Sequence, residues 1–106
     1  MVKLAKFDDT GWENLSGTNV RGRIKNGWAI VVVENLSVKG TQSTEVTIMT
    51  LPEKYWPATT IRGEAHTNSY ATAVRWLTVK PSGILTTVVQ NANGSENLVG
   101  SICYPV

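Results

Sequence analysis

The sequence predicts an all-β fold, and three observations carry that expectation. No window sustains the i, i+3, i+4, i+7 apolar spacing of an amphipathic helix, whereas β-branched residues and period-two alternation run throughout. Asn26-Gly27, the preferred pair for a two-residue type I′ turn, separates two alternating segments, Thr18 to Lys25 and Trp28 to Glu34. Turn-forming residues then recur at short intervals, which suits an antiparallel β-sandwich or jelly-roll-like barrel of about seven strands. A chain of 106 residues is long enough to bury one core of its own.

The first hairpin fixes a register. A two-residue turn at Asn26-Gly27 sets Lys25 opposite Trp28, Ile24 opposite Ala29, Arg23 opposite Ile30, Gly22 opposite Val31 and Arg21 opposite Val32. Val20, Gly22, Ile24, Ala29, Val31 and Val33 then form a core face. The other face carries Arg21, Arg23 and Lys25 beside Trp28, Ile30 and Val32, and apolar side chains of that size call for cover by a second sheet or a neighbouring subunit.

A loop is expected over Leu36 to Ser43, turning at Gly40, followed by a strand over Thr44 to Leu51. Pro52 and Pro57 remove ladder donors and fix φ, so Tyr55 and Trp56 sit on a stiff connector outside the sheet. Further strands are expected over Ala58 to His66 and Tyr70 to Lys80, joined by a turn at Thr67-Asn68-Ser69. Pro81-Ser82-Gly83 reverses the chain into Ile84 to Gln90. After the polar loop Asn91 to Glu96, a strand over Asn97 to Tyr104 closes the fold.

Composition removes several function classes. The net charge is +2 and charged residues are 17% of the chain, too weak and scattered for a nucleic-acid footprint. Cys103 is the single cysteine, expected as a small buried hydrophobe, and His66 is the single histidine, so neither a disulfide nor a metal site is expected. The N-terminal residues hold no apolar run of signal-peptide length, and no segment approaches the ~18 residues of a membrane span, so no membrane insertion is expected. Gly-x-Ser-x-Gly does not occur, and the acidic residues fall mostly at strand ends or in loops, so no catalytic residues and no cofactor are expected.

Binding accounts better for the residues present. Saccharide recognition sets an aromatic face against the apolar side of a ring and offers amides, carboxylates and guanidinium groups to its hydroxyls. Such residues gather after the connector: Trp56, Arg62, Glu64, His66, Asn68, Tyr70, Arg75 and Trp76. Arg62, Glu64 and His66 alternate and therefore share one strand face, which reads either as a recognition stripe or as an ordinary solvated face. Trp56 is open between packing and binding. Trp12, Trp28 and Trp76 are expected in core or interface packing. The saccharide-site candidates are thus Trp56, Arg62, Glu64, His66, Asn68 and Arg75.

Asp9-Thr10-Gly11-Trp12, the Val20 to Val32 hairpin, a strand running into Leu51-Pro52-Glu53-Lys54-Tyr55-Trp56-Pro57, Val79 to Leu85, and Gly100 to Pro105 occur in that order. Together they resemble the head domains of phage and prophage tail-fibre and baseplate receptor-binding proteins of the Gram-positive siphophage type, over nearly the whole chain. The resemblance implies a linker or neck remnant at residues 1–10 and a single β head domain at 11–106. It implies a homotrimer, with Arg21, Arg23, Trp28, Ile30 and Val32 at the subunit interface. Tyr55 would pack under the sheet, and Trp56 stands where related heads more often carry arginine. The implied partners are a bacterial cell-wall or envelope saccharide and other phage baseplate or fibre proteins, at the tail tip of the virion. Two alternatives stay open: a structural trimerisation or capping module of a fibre, and a monomeric carbohydrate-binding module of a hydrolase.

Overall fold

The computed structural model describes residues 9–67, 74–90 and 94–106. The strands are β1 (Glu13–Ser16), β2 (Val20–Lys25), β3 (Trp28–Lys39), β4 (Thr44–Thr50), β5 (Ile61–Thr67), β6 (Val74–Val79), β7 (Ile84–Val89) and β8 (Ser95–Pro105). They form one antiparallel sheet in the order β1-β2-β3-β8-β5-β6-β7-β4, curled into a half-barrel. The predicted all-β, barrel-like architecture is therefore realised as a continuous sheet bent around its core.

The β2–β3 hairpin has the register its turn dictates, from Val20 opposite Val33 to Lys25 opposite Trp28. Asn26 and Gly27 both take positive φ (54° and 78°), as a type I′ turn requires. Val20, Gly22, Ile24, Ala29, Val31 and Val33 are all buried on the concave side. Leu77, Val79, Leu85, Val89, Leu98, Ile102 and Tyr104 complete that core from the other half of the sheet.

The connector fills the curl. Leu51, Tyr55 and Pro57 are buried, and Glu53–Tyr55 makes a single 3-10 turn. Tyr55 is fully buried beneath Gly22, where a Cβ would stand 2.8 Å from its ring and from Leu15. Its hydroxyl donates to Glu13 Oε1 (2.8 Å), its carbonyl accepts from the Tyr104 hydroxyl (2.7 Å), and Lys54 Nζ meets Glu13 Oε2 (2.7 Å). Burial, reinforced by the Glu13 carboxylate, holds the Tyr55 phenol well above its ordinary value. The expectation that Tyr55 packs under the sheet is met.

Glu13 connects this plug to edge strand β1. Burial works to raise its carboxyl, but the hydrogen bonds from Lys54 and Tyr55 outweigh that effect and leave it below the ordinary 4.5. A carboxyl depressed on folding stabilises the fold above its unfolded pKa, and that contribution is lost as pH falls through the folded value. Asp9 (beside Arg23) and Glu45 (beside Lys80) are depressed too. The melting temperature is expected to drop between about pH 5 and pH 3, and Glu13→Gln should reduce that drop when melting is followed by circular dichroism.

Several expectations are corrected. The first half of the loop predicted over Leu36 to Ser43 is strand, because β3 runs to Lys39 and pairs with β8 on both sides of a bulge between Val33 and Leu36. Asn35 takes φ 47° there, and the Asn19 side chain donates to the carbonyls of Glu34 and Asn35 (3.0 and 3.2 Å). The extra residue resets the alternation so that Val38 is buried. Strand β5 begins at Ile61 and includes Thr67, and β8 begins at Ser95. Cys103 is exposed: it alternates with buried Ile102 and Tyr104 and so points outward. Trp12, Trp28 and Trp76 are about half exposed (50, 52 and 52%), so none lies in the core of this chain. Asn68, Tyr70 and the loop residues 91–93 lie outside the described residues.

Candidate functional site

Strand β5 sends Gly63 and Ala65 toward the core and leaves Arg62, Glu64 and His66 exposed on the convex side. Its neighbours continue that face. In β6, Trp76 is registered opposite Glu64, and Val74 opposite His66; in β8, Ser101 is opposite Glu64 and Val99 opposite His66. Directly opposed residues have Cβ atoms ~4.5–5.5 Å apart, so an exposed indole stands beside a carboxylate, with an imidazole diagonal to it. Arg62 lies one step along the stripe, opposite Thr78, and its charge helps depress Glu45.

The other predicted site residues lie elsewhere. The Trp56 indole N–H donates to the Leu51 carbonyl (2.7 Å), and its ring lies where a Cβ on Gly83 would be. It is thus bound to the β6–β7 turn, beyond the Ile61 end of the stripe. Arg75, the neighbour of Trp76, faces the opposite side of the sheet. Its guanidinium makes a two-pronged bond to Glu96 (2.8 and 2.7 Å), with the side chains 12% and 1% exposed. That carboxylate raises the Arg75 pKa above its ordinary value.

The residues predicted for a subunit interface share the same convex face, across β8 from the stripe. Val32, Ile30 and Trp28 are registered opposite Ser101, Cys103 and Pro105. The neighbouring cations have partners within the chain: Arg21 bonds Glu34 and lies 5.8 Å from the centroid of the Trp12 ring, and Arg23 bonds Asp9 (2.9 and 2.5 Å). Between the two groups, Val32, Val33, Glu34, Asn35, Val99, Gly100 and Ser101 line an open depression of about 610 Å³. Val99 and Ser101 were not among the sequence candidates and Trp76 was expected in packing; the structure sets all three on this exposed face, which alternation along β8 and β6 could not reveal without knowing which parity faces in.

Among the described residues no group of three or more His, Cys, Asp or Glu side chains could hold a metal ion. No helix among them is long and apolar enough to cross a membrane. Around the stripe the convex face offers planar charged groups, an imidazole and the exposed Trp76 indole, a set suited to hydrogen-bonding and stacking on a polar ring.

A curled antiparallel half-barrel plugged by a Pro-flanked connector is the class of fold these features define. It is the fold of the head domain of the lactococcal phage bIL170, a receptor-binding domain, with a TM-score of 0.64 at 19% identity over 90% of this chain and 96% of that one. No protein-family model matches the chain, and no curated protein matches it significantly.

Proposed function

We propose that the domain is a non-enzymatic receptor-binding head at the tail tip or baseplate of a phage, and that it binds a bacterial cell-surface saccharide through the convex face of β5 and β6. The observation that carries this reading is the exposed Arg62-Glu64-His66 stripe beside exposed Trp76, on a fold shared with a phage receptor-binding head along nearly its full length. Trp76 supplies a stacking surface, and the stripe supplies donors and acceptors that a sugar lacking the matching hydroxyl leaves unpaired. Trp56 and Arg75 act on the fold.

Assembly as a homotrimer is a second part of the proposal, favoured by the half-exposed Trp28 next to Ile30, an apolar area that another copy would cover. Several weak sites on one particle then act together at the cell surface. The same observation supports a purely structural fibre module, and two variants separate the readings. Trp76→Ala is expected to weaken binding to host envelope polysaccharide by about tenfold or more, while leaving melting and mass unchanged. Trp28→Ala is expected to lower the mass in light scattering. A Trp76→Ala protein that binds and adsorbs normally would remove the saccharide site from this face.

A further inference from the structure

The depression beside the stripe has an apolar floor and a polar rim partly engaged within the chain. Val32 and Val99 give the floor its side chains, with Val33 and Gly100 behind them. On the rim, the Glu34 carboxylate bonds Arg21, and the carbonyls of Glu34 and Asn35 accept from Asn19. Among the lining residues only Ser101 carries a hydroxyl. Its volume of about 610 Å³ falls in the range of small-molecule sites. A methyl group set against Val32 and Val99 would gain from apolar burial, a gain that a hydroxyl in the same place would not make.

The position links it to the stripe. Val99 is registered opposite His66 and Ser101 opposite Glu64, one strand spacing away, ~4.8 Å. We propose that this depression is a second subsite of the same saccharide site, one that takes a ring carrying a methyl-ended substituent, either an acetyl group or the methyl of a 6-deoxy sugar. The inference rests on the receptor-binding reading and adds the chemical class of sugar it selects. The β3 bulge makes the subsite: it carries Glu34 and Asn35 onto the rim and interrupts the β3–β8 ladder.

The test is an NMR titration of the methyl-labelled domain with three trisaccharides, of N-acetylglucosamine, rhamnose and glucose. The acetylated or the deoxy probe is expected to shift the Val32 and Val99 methyls and to bind about tenfold tighter than the glucose probe. Val99→Asp should erase that difference without changing the melting temperature, and Glu64→Gln should weaken all the probes. Equal binding of the three, or a preference that survives Val99→Asp, overturns the subsite and leaves the receptor reading standing. Binding of none overturns the subsite, while the receptor reading is decided separately by binding to host envelope polysaccharide. Val32 and Val99 signals that move on dilution, together with a change of mass in sedimentation, would assign the depression to a second copy of the chain and also overturn the subsite.

Discussion

Tyr55→Ala is expected to destabilise the domain by about 3–5 kcal/mol, a large part of the ~5–15 kcal/mol that holds a domain of this kind together. The ring occupies the space that the curled sheet leaves open, against Leu15 and the bare backbone of Gly22. Its removal leaves a hole that neither neighbour can fill, because Gly22 has no side chain and Leu15 sits on a four-residue edge strand. The lost hydroxyl also takes away one of the two bonds by which Glu13 fastens that strand to the connector. Tyr55→Phe keeps the ring and loses only the hydrogen bond, so it should cost about 1–1.5 kcal/mol. Urea denaturation of both variants checks the ordering. Similar small losses for both would mean that the connector lies against a surface instead of filling the core.

The hairpin and its two faces were legible because Asn26-Gly27 fixes a register, and a register with period-two alternation fixes every side chain's face. The same logic exposed the Arg62, Glu64 and His66 stripe. It failed where alternation is interrupted or where both parities are apolar. The bulge at Glu34 and Asn35 looked like the start of a loop because it shifts the alternation by one residue. The run Leu98 to Cys103 gave no sign of which set faces out, so Cys103 was placed inside. The exchange at Arg75 and Trp76 has a single cause. Adjacent residues must face opposite sides, and hydrophobicity alone sends the tryptophan in and the arginine out. Glu96, 21 residues away, reverses that preference by giving the guanidinium a buried partner, and nothing near Arg75 in the sequence announces it.

That buried pair makes the second large effect. Arg75→Ala leaves the Glu96 carboxylate on the inner side of the sheet with the Gln90 N–H (2.9 Å) but without its two-pronged cation. Stranding one member of a buried ion pair typically costs about 3–5 kcal/mol, far more than an exposed pair such as Lys80 with Glu45. Arg75→Lys should recover only part of the loss, since an ammonium cannot reproduce both prongs of the fork. Arg75→Met combined with Glu96→Leu should be much milder than Arg75→Ala alone, because no uncompensated charge then remains and the residual penalty is about 1 kcal/mol for the Gln90 N–H. A double-mutant cycle on melting free energies reads this coupling directly. Strictly additive losses would show that the two charges are solvated separately. On the proposed saccharide reading, Arg75→Ala is then expected to lower binding only in proportion to unfolding, whereas Glu64→Gln is expected to lower it with the fold intact.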